Sequence, residues 1–418
     1  MPTISFFCLL LFIIILISGF KKNSDFLSPG RVFSLLWLFV IGLVEFKFSK
    51  LQPHWNYFDW FIALLGILTF LLGIYISYII NLDKSFLRIS EIRTKIREVG
   101  LNEKKLFRFI VIYFFIYLFC FIAEWQIEGY LPLFTSKPDR ARILFGIFGL
   151  HLIVSSANVI LFLIIEYFIF IKANLKKKWF LIFVFIIAMG NYILIVQRYG
   201  LFILIMMVFC LIYYSGRKVK LRTFIIFGSV IISLIIGIQS LRTTELITAY
   251  IIIDSKMKLS QQYAEFAIPY MYIVMSIENF VKYYSQIDNH SFGFFTLDFI
   301  SAITGIKHWI EEYYNFDKFR LHIGGYNTYP FYWAYYYDFG IAGLALIPFI
   351  IGYIISEIYY YLRRNPNIVI LTLFSIAFAV MAISYSSDPL TRLDMMFNFS
   401  IIVFAQFLFW NKAAKEPL

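Results

Sequence analysis

The chain has 418 residues, of which 61% are hydrophobic and only 15% charged, and its mean hydropathy is +0.78. That balance excludes an ordinary water-soluble globular domain and makes lipid the solvent in which this sequence folds. The net charge of +12 needs no nucleic acid as partner, because basic residues orient the loops of membrane proteins and meet anionic membrane lipid.

Apolar runs able to cross a hydrocarbon layer of about 30 Å lie at 4–20, 32–46, 58–80, 107–125, 147–171, 179–197, 200–214, 223–240, 331–361, 367–385 and 395–411. The pattern predicts an all-α fold, a polytopic transmembrane helix bundle of about 11 spans. The first run has no basic residue before it, Lys21-Lys22 after it and no small-residue cleavage site, so it reads as an uncleaved helix with its N-terminus outside. On that topology the loops 21–31, 81–105, 172–178, 215–222, 361–366 and the tail from 412 are cytoplasmic and hold 22 Lys and Arg. The short outer loops 47–57, 126–142, 198–199 and 386–394 hold 7. The asymmetry supports a C-terminus inside.

No linker, low-complexity tract or repeat divides the chain, so 1–418 reads as a single integral membrane domain. Its one long extracytoplasmic loop is 241–330, with seven basic and nine acidic residues. Within it the run 264–281, broken by Pro269, reads as an amphipathic or re-entrant helix. The alternative, a full span, would place Arg363-Arg364 outside. A loop of this length between spans suggests a lid or binding surface, and it puts a candidate site on the outer face, away from cytosolic nucleotide-activated substrates.

Few residues there carry chemistry. Arg198 sits in the tight outer turn Gln197-Arg198-Tyr199-Gly200, and Arg242 follows the run ending at Ser240. Arg140 and Arg142 follow Gly129 to Phe134, Arg320 and His322 close the long loop, and Arg392 is in the last outer loop. A guanidinium fork suits phosphate oxygens and stays charged, although each of these side chains can equally snorkel at the interface. Acid–base candidates are Glu124, Glu128, Asp338, Asp388 and His322; a carboxylate so placed can instead neutralise an arginine across a helix interface. Glu45 and Glu166 receive no role. His151 lies in the outer half of its run, where hydrogen bonding within the bundle is the ordinary expectation. The cysteines Cys8, Cys120 and Cys210 fall inside spans, and the five histidines show no metal-ligand spacing. No metal site and no cofactor is expected, and the P-loop, GxGxxG, GxSxG, HExxH and Asp-x-Asp patterns are missing.

The stretch Gly324-Gly-Tyr-Asn-Thr-Tyr-Pro-Phe-Tyr-Trp-Ala-Tyr-Tyr-Tyr-Asp-Phe-Gly-Ile-Ala-Gly343 resembles the pattern of the oligosaccharide repeat unit polymerases, the Wzy-type or O-antigen polymerases. It has an Asn-Thr pair followed by a helix with Asp-Phe-Gly and a second glycine. Tyr130-Leu-Pro-Leu-Phe134 and Gln197 to Gly200 are similar to landmarks of the same family. The resemblance implies an architecture like that of O-antigen polymerases and ligases (GT-C-like) in the bacterial cytoplasmic membrane. It implies a membrane glycosyltransferase that joins undecaprenyl-diphosphate-linked oligosaccharides into O-antigen, capsule or exopolysaccharide, without a metal. In that reading Arg198, Arg242 and Arg320 hold the donor diphosphate, and His322 or Glu124 activates the acceptor hydroxyl. Asn327, Tyr329 and Asp338 position the acceptor or the loop. A chain-length regulator and the flippase of the same pathway are the further candidate partners. The rivals are a flippase or exporter of lipid-linked oligosaccharides, for which two related halves with broken helices are expected, and another membrane transferase, either a glycan ligase or an acyltransferase, which would favour a histidine within a span, here His151, as base.

Overall fold

The computed structural model describes residues 3–21, 24–98, 101–172, 174–197, 199–216, 253–258, 266–287, 289–306, 309 and 326–409. Among these residues the protein is helical, and an isolated β-bridge pairs Ser49 with Met257. In chain order the helices are α1 (Thr3–Gly19), α2 (Pro29–Val44), α3 (Tyr57–Ile80), α4 (Ile89–Arg97), α5 (Glu103–Glu128), α6 (Pro138–Leu144), α7 (Leu150–Val154), α8 (Ala157–Phe170), α9 (Leu175–Ile195), α10 (Tyr199–Ser215), α11 (Ala267–Tyr283), α12 (Asp298–Thr304), α13 (Trp333–Arg364), α14 (Ile368–Ile383) and α15 (Leu393–Phe409).

Among the described residues five stretches are long and apolar enough to cross a membrane: α3, α5 with the turn that follows it, Leu150–Phe170 (α7 and α8), α9 and α13. Helices α1, α2, α10, α14 and α15 are apolar and shorter. These ten stretches account for all the predicted runs except 223–240, which lies outside the described residues. The chain thus has the character of a membrane helical protein.

The sequence sets where the long helices start. Asn56 caps α3 by accepting from the N–H groups of Phe58 (2.8 Å) and Asp59 (2.9 Å), and the Asp59 carboxylate accepts in return from Asn56 N–H at 2.9 Å. Asn102 and Asn174 cap α5 and α9 by accepting from Lys105 and Lys176 N–H at 3.1 and 3.2 Å. Each cap satisfies amide donors that a helix start would otherwise leave open.

The chain packs as two compact units. The first comprises Met1–Ser85, Glu245–Tyr360 and Val380–Leu393. In it α2 packs against α1, α3 and α11, and α3 also packs against α11. Aromatic rings fill its core: Phe33 stacks on Phe70 at 3.9 Å, and Trp37 Nε1 donates to Ser384 Oγ at 3.1 Å. Helices α3 and α13 approach closely because Gly73 and Gly352 face the opposite backbone; a Cβ on either would fall on the carbonyl of Phe349 or Phe70. Small residues permit such contact between apolar helices, and polar side chains then bridge them. Glu357 on α13 accepts from Ser77 Oγ (2.8 Å) and Asn81 Nδ2 (2.7 Å) on and after α3. Helix α11 is buried throughout 274–281, so this part of it offers no polar stripe to solvent.

The second unit comprises Phe86–Thr244, Tyr361–Ala379 and Asp394–Leu418. Helix α5 packs on α7 and α8, and α8 packs on α9 and α10. The short basic helix α4 buries Ile92 and Ile96 and lies against α10. Its Arg93 and Arg97 donate Nε–H to the carbonyls of Tyr213 (2.9 Å) and Ser215 (2.8 Å), satisfying the open C-terminal end of α10. Within the bundle Glu166 on α8 accepts from Gln406 Nε2 on α15 at 2.6 Å.

Candidate functional site

Glu124 and His151 form the most chemically capable pair of the second unit. Glu124 lies four residues before the end of α5 and is fully buried. Burial of a carboxylate there costs several kcal/mol unless donors meet it, and the loop that returns from α5 supplies them. Ile147 N–H donates to Oε1 at 2.8 Å, and His151 Nδ1 lies 3.2 Å from both carboxylate oxygens. The loop is built to make this return. The 3-10 turn Pro132–Phe134 packs on α6 and α9, Tyr130 Oη donates to Ala141 O at 3.3 Å, and Gly146 N–H donates to Glu128 Oε1 at 3.3 Å. Beneath the loop Leu131, Phe145 and Val154 join Cys120, Phe121 and Ile195 in one apolar cluster.

The two partners differ in access. The His151 side chain is 30% exposed while that of Glu124 is 0% exposed, so a solute meets the imidazole and not the carboxylate. Among the described residues the ion-pair partner of Glu124 is this histidine and not the arginine that one sequence alternative allowed. Arg140 is exposed and Arg142 half-buried on α6, in the same returning loop.

In the first unit Asp338 serves its own loop. It is fully buried, and its carboxylate accepts from Ser291 Oγ, from Phe295 N–H at 3.2 Å and from Thr296 N–H at 2.7 Å. Its carbonyl takes Phe292 N–H at 3.1 Å. Two residues on, Gly340 sits at φ 61°, where a side chain is rarely tolerated, and the helix breaks its regular path there. A Cβ at this position would meet the His290 ring. Asp338 and Gly340 of the Asp-Phe-Gly thus fix the segment 290–296 to α13. Asn327 is exposed. Tyr329 is half-buried and stacks on Trp333 at 4.8 Å. Burial, with Tyr283 beside it, pushes the Tyr329 phenol well above its ordinary range, so it keeps its proton and can donate a hydrogen bond. Of the aromatic residues in 326–337, Tyr329, Trp333 and Tyr336 retain partial exposure, and the other tyrosines and Phe331 are buried.

Asp388, before the turn Pro389–Thr391, is buried, accepts from Leu390 N–H at 3.0 Å and from Tyr335 Oη, and has its pKa pushed up to about 6 by burial. An unfolded aspartate titrates near 3.9, so the folded protein binds this proton more tightly. The resulting stabilisation is complete below about pH 4 and is lost as pH rises through about 6, a span worth about 2–3 kcal/mol. The Asp388→Asn variant in detergent is therefore expected to lose less thermal stability than wild type between pH 4.5 and 7. Parallel pH profiles would mean that Asp388 does not hold its proton in the fold.

A buried network absent from the sequence expectations also lies in the first unit. Lys47, just past α2, donates to Glu278 Oε1 of α11 at 2.6 Å. Gln52 Nε2 and Trp55 Nε1 donate to the same carboxylate at 2.9 and 3.0 Å, and the Lys47 ammonium sits 4.3 Å from the Trp55 ring centroid. The signal was present in the sequence, as an acidic residue near the end of an apolar run and a lysine against the positive-inside trend.

Arg198, Arg242, Arg320 and His322 lie outside the described residues. The turn carrying Arg198 is described on both sides: Val196 adopts φ 59°, Gln197 N–H donates to Tyr192 O at 3.1 Å, and α10 begins at Tyr199. Among the described residues no three His, Cys, Asp or Glu side chains gather as a metal-holding group. Compared with protein-family models, with curated proteins and with solved structures, the chain matches none of them.

Proposed function

We propose that this protein is a membrane glycosyltransferase that polymerises polyprenyl-diphosphate-linked oligosaccharide repeat units at the outer face of the bacterial cytoplasmic membrane. The observation that carries the reading is the Glu124–His151 pair at the end of a long apolar helix, under a loop that also bears Arg140 and Arg142. Transfer of a glycan from a diphosphate carrier needs a group that takes a hydroxyl proton and cations that stabilise the leaving diphosphate. It also needs apolar helices along which the polyprenyl tail can lie, and five stretches among the described residues are long and apolar enough to cross a membrane.

Tyr329 and Trp333 form a partly exposed stacked pair on which sugar C–H faces can rest, and Asp338 holds the neighbouring loop. Arg198, Arg242 and Arg320 remain the proposed diphosphate clamp and His322 an alternative base, as the family resemblance implies. The flippase reading predicts two related halves, and the run pattern offers no such pairing.

Deleting the gene in its own host and resolving the extracted surface glycan by repeat number tests the reading. The expected result is loss of the ladder with a single repeat unit still delivered outside. Repeat units held on their carrier at the cytoplasmic face would make the protein a flippase, and an unchanged ladder would remove it from polymer assembly.

A further inference from the structure

We propose that His151 is the base that takes the acceptor hydroxyl proton and that Glu124 is its positioning residue; the assignment rests on the polymerase reading above. The first argument is access. The carboxylate is fully buried and takes Ile147 N–H and His151, so an incoming hydroxyl meets the imidazole, which is the partly exposed member. The second is the tautomer. With Nδ1 lying 3.2 Å from both carboxylate oxygens, its proton is donated to Glu124, and Nε2 is left with the lone pair that can accept a proton.

The third argument is rigidity. His151 N–H donates to Ile147 O at 2.9 Å, so the two residues that donate to the carboxylate are tied to each other by a backbone hydrogen bond. Phe145 meets the imidazole edge-on at 6.2 Å. The ring is therefore held from the carboxylate side, from the backbone and from an aromatic edge, which is the support a base needs to act in one geometry.

The fourth is charge. The titratable groups of the returning loop are Tyr130, Lys137, Asp139, Arg140 and Arg142, and the last turns of α5 and α9 add Cys120, Glu124, Glu128 and Tyr192. Among the described residues the basic side chain that meets Glu124 is His151. The carboxylate thus stabilises the imidazolium as it forms.

In the step, the acceptor hydroxyl oxygen forms a bond to the anomeric carbon of the donor sugar as its proton passes to His151 Nε2. The bond from that carbon to the diphosphate oxygen breaks, and its electron pair leaves with the polyprenyl diphosphate. The imidazolium then gives its proton to water or to the departing diphosphate.

The test uses membranes from the deletion host, which accumulate the lipid-linked repeat unit, supplied with the full-length protein or its variants. The variant His151→Asn retains a donor able to reach Glu124 and has no basic nitrogen, so it separates proton transfer from cradle support. It is expected to insert at the wild-type level and to form polymer at least about 100-fold more slowly. Glu124→Gln keeps an acceptor for Ile147 N–H and removes the anion, so it is expected to be impaired with the acid limb of its pH–rate profile moved to lower pH. Wild-type polymer from His151→Asn would overturn the assignment while leaving the polymerase reading intact. A Glu124→Gln profile parallel to wild type would overturn the positioning role. Membranes with wild-type protein that form no polymer would overturn the polymerase reading and the base assignment with it.

Discussion

Replacing Lys47 by alanine is expected to destabilise the protein by about 3–5 kcal/mol, read as a fall in the thermal midpoint of the detergent-solubilised full chain. The Glu278 carboxylate is 0% exposed and the Lys47 side chain 8% exposed, so water cannot replace the lost ammonium. Gln52 and Trp55 would remain as donors to the carboxylate, but neither carries charge. The physical content lies in the rescue. A Lys47→Met, Glu278→Gln double variant removes both charges and keeps an acceptor for Trp55 and Gln52. It is expected to recover most of the loss, because a neutral pair escapes the desolvation cost that a lone buried carboxylate must bear. If the double variant is as unstable as Lys47→Ala, the lysine stem and not the charge supports this end of α2.

Asp338 gives the second large effect, with an unusual pattern of substitution. Its two oxygens face three donors, Ser291 Oγ and the N–H groups of Phe295 and Thr296. An asparagine has the same shape but must turn its amide N–H₂ toward one of those donors. Asp338→Asn is therefore expected to be about as damaging as Asp338→Ala, losing hydrogen bonds to a charged acceptor worth about 1.5–3 kcal/mol each. Limited proteolysis within 289–297 should increase in both variants. An asparagine protein with wild-type protection would show that the carboxylate does not hold the segment. In the polymerase reading, this anchoring makes Asp338 a residue that places a loop and not one that exchanges protons.

How far the sequence carried the fold follows from the strength of each signal. Long apolar runs have one physical solution in lipid, and those at 58–80, 179–197 and 331–361 lie on α3, α9 and α13. The start at Asn56 was within reach, two residues before its run, whereas Asn174 caps a helix that begins four residues ahead of the run at 179–197. Packing between distant segments was not. Nothing local in the sequence pairs Lys47 with Glu278, or sets Gly73 against the carbonyl of Phe349. The candidate site shows the same division. Glu124 stood out because a carboxylate at the end of an apolar helix is costly, and Asp338 for the same reason. The partner of Glu124 did not stand out: His151 looked like an ordinary bundle histidine until the loop returning from α5 brought its Nδ1 to the carboxylate. A pair separated by a folded loop has no fixed spacing for a sequence reading to detect.

The central claim concerns bond formation, so the decisive experiment supplies nothing else. The full-length protein is reconstituted in proteoliposomes with a polyprenyl-diphosphate-linked repeat unit, and the carrier and saccharide are separated and measured. Polymerisation requires saccharides of two and more repeats, with one free polyprenyl diphosphate released for each new linkage. Repeat units that change leaflet while every saccharide stays at one repeat and no carrier is freed would contradict it.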